Sequence, residues 1–242
     1  MTDLAGERRV AKRAVMPDVS PDSTGNRFRR ARMARLRDLI EAVLRRQERC
    51  AIIDIGGTVN FWSTWRDAID WSRVRVTCVN RDPAHASEGE RLVDIVQGDA
   101  RDLSDMPDSG FDLAFSNSVI EHVGTWPDME AMAGEVRRVA RGYLVQTPYY
   151  WFPIEPHART PLLHWLPEPL AYRVVMNFRC GFWRRHDTVA GAVRQVQSAR
   201  LIDRRQMAAL FPDAEIQRER FFGLTKSLIA VRRAEAAGRD AA

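Results

Sequence analysis

Five short apolar runs, separated by loops or amphipathic stretches, constrain this chain more than any other feature of its sequence. They are AIIDIG (51–56), VRVTCVN (74–80), DIVQGD (94–99), FDLAFSN (111–117) and GYLVQTP (142–148). Between the last two, Met129, Met132, Val136 and Val139 recur at helical spacing, with Pro127 and Asp128 at the start and Gly142 past the end. Strands alternating with helices predict an α/β fold: a Rossmann-like, mostly parallel sheet with helices on both faces. Such sheets place ligands at the carboxyl ends of their strands. Each run here ends in polar or small residues: Asp54-Ile55-Gly56-Gly57, Asn80-Arg81-Asp82, Gly98-Asp99-Ala100, Ser116-Asn117-Ser118 and Gln146-Thr147. The expected site is therefore assembled from loops far apart in sequence.

The flanking segments read differently. Residues 1–26 lack apolar periodicity and are expected to be disordered, as is the tail 234–242. The segment from Arg27 to Arg49 holds nine arginines against Asp38, Glu41 and Glu48, a local balance of 9 − 3 = +6. Leu36, Leu39, Ile40, Val43 and Leu44 follow helical spacing there, so the arginines read as a solvated basic face or as a surface for an acidic partner such as anionic lipid. Nothing in it resembles a base-reading motif, and no nucleic-acid partner is expected. After residue 148 the alternation breaks into an insertion, 149–200, dense in proline, aromatics and histidine, and this is the expected acceptor-selecting cap of a domain spanning 27–233. Its aromatics read either as packing residues or, mixed with arginines, as an apolar acceptor pocket or a patch at the headgroup depth of a membrane. Two final runs near Glu215–Phe222 and Ser227–Val231, joined at Gly223, predict an antiparallel pair at the sheet edge.

No apolar run approaches the roughly 20 residues of a spanning helix, and the charged N-terminus lacks a signal core. Cys50, Cys78 and Cys180 have no ligand spacing and read as reduced packing residues, so a cytoplasmic protein is expected, with peripheral membrane contact left open.

The glycine loop narrows the ligand. A dinucleotide site needs G-x-G-x-x-G so that a helix N-terminus meets the pyrophosphate. Here D-I-G-G-T-V-N has no third glycine in place, and Asp54 would repel an anion. A ligand bearing an ammonium and hydroxyls fits better, which disfavours a nicotinamide-dependent oxidoreductase.

The order D-x-G-G, VTCVNRD, VQGDARDL and FDLAFSNSVIEHVG, over about 50–146, resembles the class I S-adenosylmethionine-dependent methyltransferases. The resemblance implies a seven-stranded sheet with the last strand antiparallel, and S-adenosyl-L-methionine as cofactor. It implies that Asp54 orients the methionine ammonium directly or through water, and that Gly56 and Gly57 admit close backbone approach. Asn80 falls where the family has a ribose-binding acid, with Asp82 as a substitute if the loop turns back. Asp99 would accept from the adenine amine, Ala100 offer a backbone N–H, and Asn117 line the methyl-transfer region. Thr58 and Asn60 stand where the family's loop usually has glycines.

The acceptor side is read from the residues. Glu155 and His157 flank Pro156 in a stiff loop after strand five, placed for a general base or for a rigid lid. His122 either packs the turn after strand four or stands near the methyl site; Glu121 beside it is expected to be solvated or paired with an arginine. His164 reads as packed and His186 as a surface residue. No donor cluster has metal-ligand spacing, so no metal is expected. These features predict methyl transfer to a small-molecule, saccharide or lipid-linked acceptor, with oxygen as the target. The alternative is a non-catalytic binding or scaffold protein retaining the fold.

Overall fold

A computed structural model describes residues 24–81 and 92–234. The expectations for 1–23, Asp82 and 235–242 lie outside the described residues. Helix α1 (Thr24–Leu44) starts three residues before the expected boundary, and Ala234 is held by Arg46, whose guanidinium donates to its carbonyl at 3.0 Å.

Seven strands form one sheet: β1 (Cys50–Ile55), β2 (Val74–Asn80), β3 (Asp94–Gln97), β4 (Phe111–Asn117), β5 (Ala140–Pro148), β6 (Glu215–Phe221) and β7 (Leu224–Arg232). Their spatial order is β3-β2-β1-β4-β5-β7-β6, with β1 to β5 parallel and β7 antiparallel to both of its neighbours. The chain order reverses between β1 and β4, the switch point at which open α/β sheets bind ligands. Phe222 and Gly223, with φ of 47° and 80°, make the tight β6–β7 turn that the sequence places at Gly223.

The unbroken apolar runs follow from a sheet covered on both faces. Ile52, Cys78, Leu113, Phe115, Leu144 and Ile229 face α1 and the short α2 (Val59–Thr64); their alternates Ile53, Ile55, Val79, Ala114, Val145 and Ala230 face α3 (Trp126–Val139) and α6 (Arg204–Leu210). In α3 the expected stripe Met129, Met132, Val136 and Val139 is fully buried. Gly142 is not its terminator: β5 follows α3 directly, and Gly142 lies inside β5, where a Cβ would meet the Ala234 backbone nitrogen at 2.4 Å.

The basic helix is not only a solvated face. Arg32 is buried and donates from Nε to both carboxylate oxygens of Glu219 at 2.9 and 3.0 Å, and from Nη1 to Asn117 Oδ1 at 2.8 Å. One guanidinium thus joins α1, β6 and the tip of β4. The remaining apolar stripe packs as expected, with Leu36, Leu39, Ile40 and Val43 buried.

The insertion leaves and rejoins the sheet at one place, where Tyr150 N–H donates to the Ile202 carbonyl at 3.0 Å. It contains α4 (Glu168–Asn177) and α5 (Val189–Val196), which pack on each other around Ala158, Leu163, Ala171, Val175, Cys180 and Ala192. The large aromatics are not this small core. Trp151, Trp165, Phe178 and Phe182 are exposed, because the interface between two short helices is filled by small and branched side chains. The three cysteines are free and buried. Among the described residues no helix is long and apolar enough to cross a membrane.

Candidate active site

The site begins at the tip of β1. Gly56 takes φ of 79°, a conformation that suits glycine, and a Cβ there would meet Val119 Cγ2 at 2.5 Å. At Gly57 a Cβ would lie 1.9 Å from the Asp54 carboxylate, so that carboxylate occupies the room a side chain would need. Asp54 itself is buried and accepts from the indole N–H of Trp62 at 2.7 Å. Burial pushes its carboxyl up to about 7, with the indole hydrogen bond pulling the other way. In this arrangement Asp54 faces inward and supports the loop through Trp62. Thr58 caps α2, accepting from Phe61 N–H at 3.3 Å, which brings Trp62 under the carboxylate. The departure from glycine at Thr58 is thus a helix start.

Asn80 has an equally concrete task. Its amide donates to the Gly57 carbonyl at 2.5 Å, tying the β2 tip to the glycine loop. A carboxylate at this position has no proton to give that carbonyl. The exchange of acid for amide supplies that donor and keeps a side-chain carbonyl oxygen as an acceptor.

Asp99 is already engaged. It accepts from Arg101 Nε and backbone N–H at 3.0 Å each and from Nη2 at 2.6 Å, with Arg81 Nε 3.6 Å away. Hydrogen bonds from Arg101 hold its carboxyl down to about 2. Arg101 also donates to Asp128 at 2.8 Å, linking the β3 tip to the start of α3. Ala100 is half-buried beside it. At the β4 tip Asn117 accepts from Arg32, and Ser118, at φ of 58°, turns the chain so that Val119 packs against Gly56.

Beyond that turn lies the side on which the sequence reading expects an acceptor. Glu155 and His157, read in the sequence as a pair, and His122, read separately, meet in the structure. His157 Nδ1 is 2.8 Å from Glu155 Oε1, and the His122 and His157 rings stand edge to face at 4.7 Å between centroids. Glu155 also accepts from the Ala158 backbone N–H, so two contacts lock its carboxylate. His122 Nδ1 faces the Ser198 carbonyl at 2.7 Å, the reason this residue is aimed rather than free.

Glu121 corrects the sequence reading. It is neither solvated nor paired with an arginine: it is 1% exposed, and its Oε2 accepts from Thr147 at the end of β5 at 3.0 Å. Its Oε1 is buried with no hydrogen-bond partner. Burial pushes its carboxyl upward, while His122 and His157 oppose that. At His157 burial lowers the imidazole, but Glu155 and then Glu121 outweigh it and the net direction is up. His164 is packed as expected, with Nε2 2.8 Å from the Tyr150 carbonyl. Its side chain, with Tyr150, Trp151, Glu155, Trp183 and Asp203, lines a cleft of about 600 Å³ between the insertion and the start of α6.

Sequence reasoning missed Glu121, Trp62, Arg101 and Arg32. A glutamate closing the run SVIE offered the only local sign for Glu121; Arg32 has none, being one arginine among nine.

The sheet order, the glycine loop at its switch point and the antiparallel β7 give a methyltransferase-like α/β fold, as the resemblance in the sequence implies. Residues 54–145 match the family model described as a methyltransferase domain. Among solved structures, the fold is similar to that of the DszA carbon methyltransferase, at 13% identity and a TM-score of 0.58, covering 88% of this chain and 56% of that one. The CurJ carbon methyltransferase is similar at 12% identity and a TM-score of 0.56, with the same two coverages. A putative Zn-dependent alcohol dehydrogenase from Rhodobacter sphaeroides aligns at 12% identity and a TM-score of 0.52, covering 84% of this chain and 90% of that one. Identities this low speak to the fold. This chain spans little more than half of each carbon methyltransferase, and no curated protein matches it.

Proposed function

We propose that this protein transfers a methyl group from S-adenosylmethionine to an oxygen of a small-molecule acceptor bound under the insertion. The observation that carries the reading is the meeting of Glu121, His122 and His157 at the carboxyl ends of β4 and β5, with Glu155 behind His157. Such a cluster has no structural need to be ionisable, and it borders the cleft that Glu155 lines.

The residues at the strand tips fit the cofactor. Glycines 56 and 57 leave a backbone edge that a Cβ would fill, Asn80 keeps an acceptor oxygen for a ribose hydroxyl, and no G-x-G-x-x-G competes for a pyrophosphate. Asp99 and Ala100 would take the adenine and Asn117 the methionine end, with Asp54 supporting the loop from beneath. S-adenosylmethionine, when bound, supplies an activated methyl on sulfur. The protein holds the acceptor oxygen in line with it and removes the hydroxyl proton at the His157 cluster. Orientation of this kind accounts for effective molarities of about 10⁵ M or more. The exposed Trp151, Trp165, Phe178 and Phe182, with arginines around them, suit a saccharide or a lipid-linked acceptor, and the latter would place the protein at a membrane surface.

The engaged state of Asp99 favours a second reading, a binding protein that keeps the fold without turnover. Calorimetry with S-adenosylhomocysteine separates the two steps. Heat at tens of micromolar ligand, lost in Asp99→Ala, supports the cofactor site; a 14 Da gain in an acceptor pool, lost in His157→Ala, supports the reaction. Absence of heat in the wild-type chain would end the methyltransferase reading.

A further inference from the structure

We propose that Glu121, His122 and His157 bind one first-row divalent cation of the zinc class at the carboxyl ends of β4 and β5. One ligand atom from each of the three lies within 4.8 Å of the others. No ligand spacing marks it in the sequence, because the donors come from the turn after β4 and from the insertion.

Three observations point to a cation. The first is that both imidazoles already spend Nδ1. A carbonyl oxygen can only accept, so His122 Nδ1 carries the proton it gives to Ser198; a carboxylate likewise accepts from His157 Nδ1. Both Nε2 lone pairs are then left over. A histidine whose far nitrogen donates to a carboxylate or carbonyl is the arrangement that orients metal-bound imidazoles. The second is the buried Glu121 Oε1, which has no hydrogen-bond partner although its twin oxygen is bonded to Thr147. An orphaned buried carboxylate oxygen costs about 1–3 kcal/mol, more if charged, and a cation removes that cost. The third is charge. Glu121 and Glu155 are 1% and 4% exposed, and among the described residues no arginine or lysine nitrogen lies within 4 Å of either. The charged groups facing these two buried carboxylates are the imidazoles of His122 and His157.

Two histidines and one carboxylate are ligands for borderline cations such as zinc, and they leave a position open. Bonds of about 2.0–2.2 Å need donor separations of about 3.4 Å, so the cluster must close by about an ångström. His122 is exposed and His157 half-buried, so both can move that far and the ion has a way in. The ligand set stands on its own geometry. Its use rests on the function proposed above and revises one step of it: with His157 Nε2 on the ion, the ion would lower the pKa of an acceptor hydroxyl bound at the open position, and the proton would pass to solvent rather than to His157.

The test uses the untagged full chain, stripped with chelator and titrated with Co²⁺, then displaced by Zn²⁺. One equivalent of cobalt with a visible d–d band, and a Tm raised by zinc, are expected. Glu121→Gln and His157→Ala should each weaken cobalt binding at least tenfold, and Glu155→Gln by about 10–100-fold through loss of orientation alone. His122→Ala, at an exposed position, covers the case in which Glu121→Gln does not fold. No cobalt band and no zinc-induced Tm change would overturn the proposal, as would binding unaltered in His157→Ala and His122→Ala. S-adenosylhomocysteine calorimetry on the same stripped protein keeps the questions apart: heat without cobalt binding removes the cation and leaves the methyltransferase, whereas cobalt binding without heat does the reverse.

Discussion

Replacing Asp54 by asparagine isolates the cost of burying one carboxylate beneath the glycine loop. The folded-state carboxyl titrates near 7, against an ordinary value of 3.8, because burial disfavours its charge. Below about pH 4 the group is protonated folded or unfolded and costs nothing. As pH rises through the window from 3.8 to about 7, the unfolded chain sheds its proton and the folded one does not, so stability falls. Above 7 the loss is complete. At about 1.4 kcal/mol per pH unit over a window of about three units, the full loss is on the order of 4 kcal/mol. Asp54→Asn keeps an oxygen for the Trp62 indole and removes the ionisation. Urea unfolding of both proteins from about pH 4.5 to 7.5 should show the stability of the variant, relative to wild type, climbing with pH. Two curves that stay parallel across that range would refute the reasoning.

Gly57→Ala places a methyl against the Asp54 carboxylate and should cost about 1–3 kcal/mol by overpacking, together with most S-adenosylhomocysteine affinity. Asn80→Asp restores the acid usual in the family yet should weaken that affinity, because the donor to the Gly57 carbonyl is lost; calorimetry reads it, and a tighter complex would contradict the role assigned here. Arg32→Ala leaves Glu219 buried without its main partner and should destabilise by about 3–5 kcal/mol in denaturant, with Arg32→Met plus Glu219→Gln recovering much of it. If the exposed aromatics of the insertion contact a membrane, anionic vesicles should co-sediment the wild-type chain at low salt and not a Trp151→Ser/Phe178→Ser variant; equal retention would remove that surface from consideration.

The sheet was legible because a strand covered on both faces must be apolar along its whole length, and its ligand end must then turn polar. Asp54, Gly56, Gly57, Asn80, Asp99 and Asn117 stand at those polar ends, so their positions followed from the pattern. Their partners did not. Trp62 under Asp54 and Arg101 on Asp99 depend on how the next segment packs, which a one-dimensional pattern does not carry. Glu155 and His157 read as a pair because only Pro156 separates them, but their meeting with His122 was not legible, and Glu121 read as a surface acid because nothing local marks its neighbour Thr147. In the insertion, proline and aromatic density hid two short helices, and Trp151, Trp165, Phe178 and Phe182 are exposed while Phe152 is buried and Trp183 packs against the helix pair.

The guanidinium of Arg32 joins residues 187 positions apart, and this has a consequence for how the molecule is made. During synthesis the first helix leaves the ribosome long before Glu219 exists, so its arginine waits unneutralised until the closing hairpin arrives. Asn117, clamped by the same group, acquires its final orientation only then. A chain cut short before β6 would therefore lose more than an edge of its sheet: the tip of β4 would lose the tie that runs through Arg32 to β6.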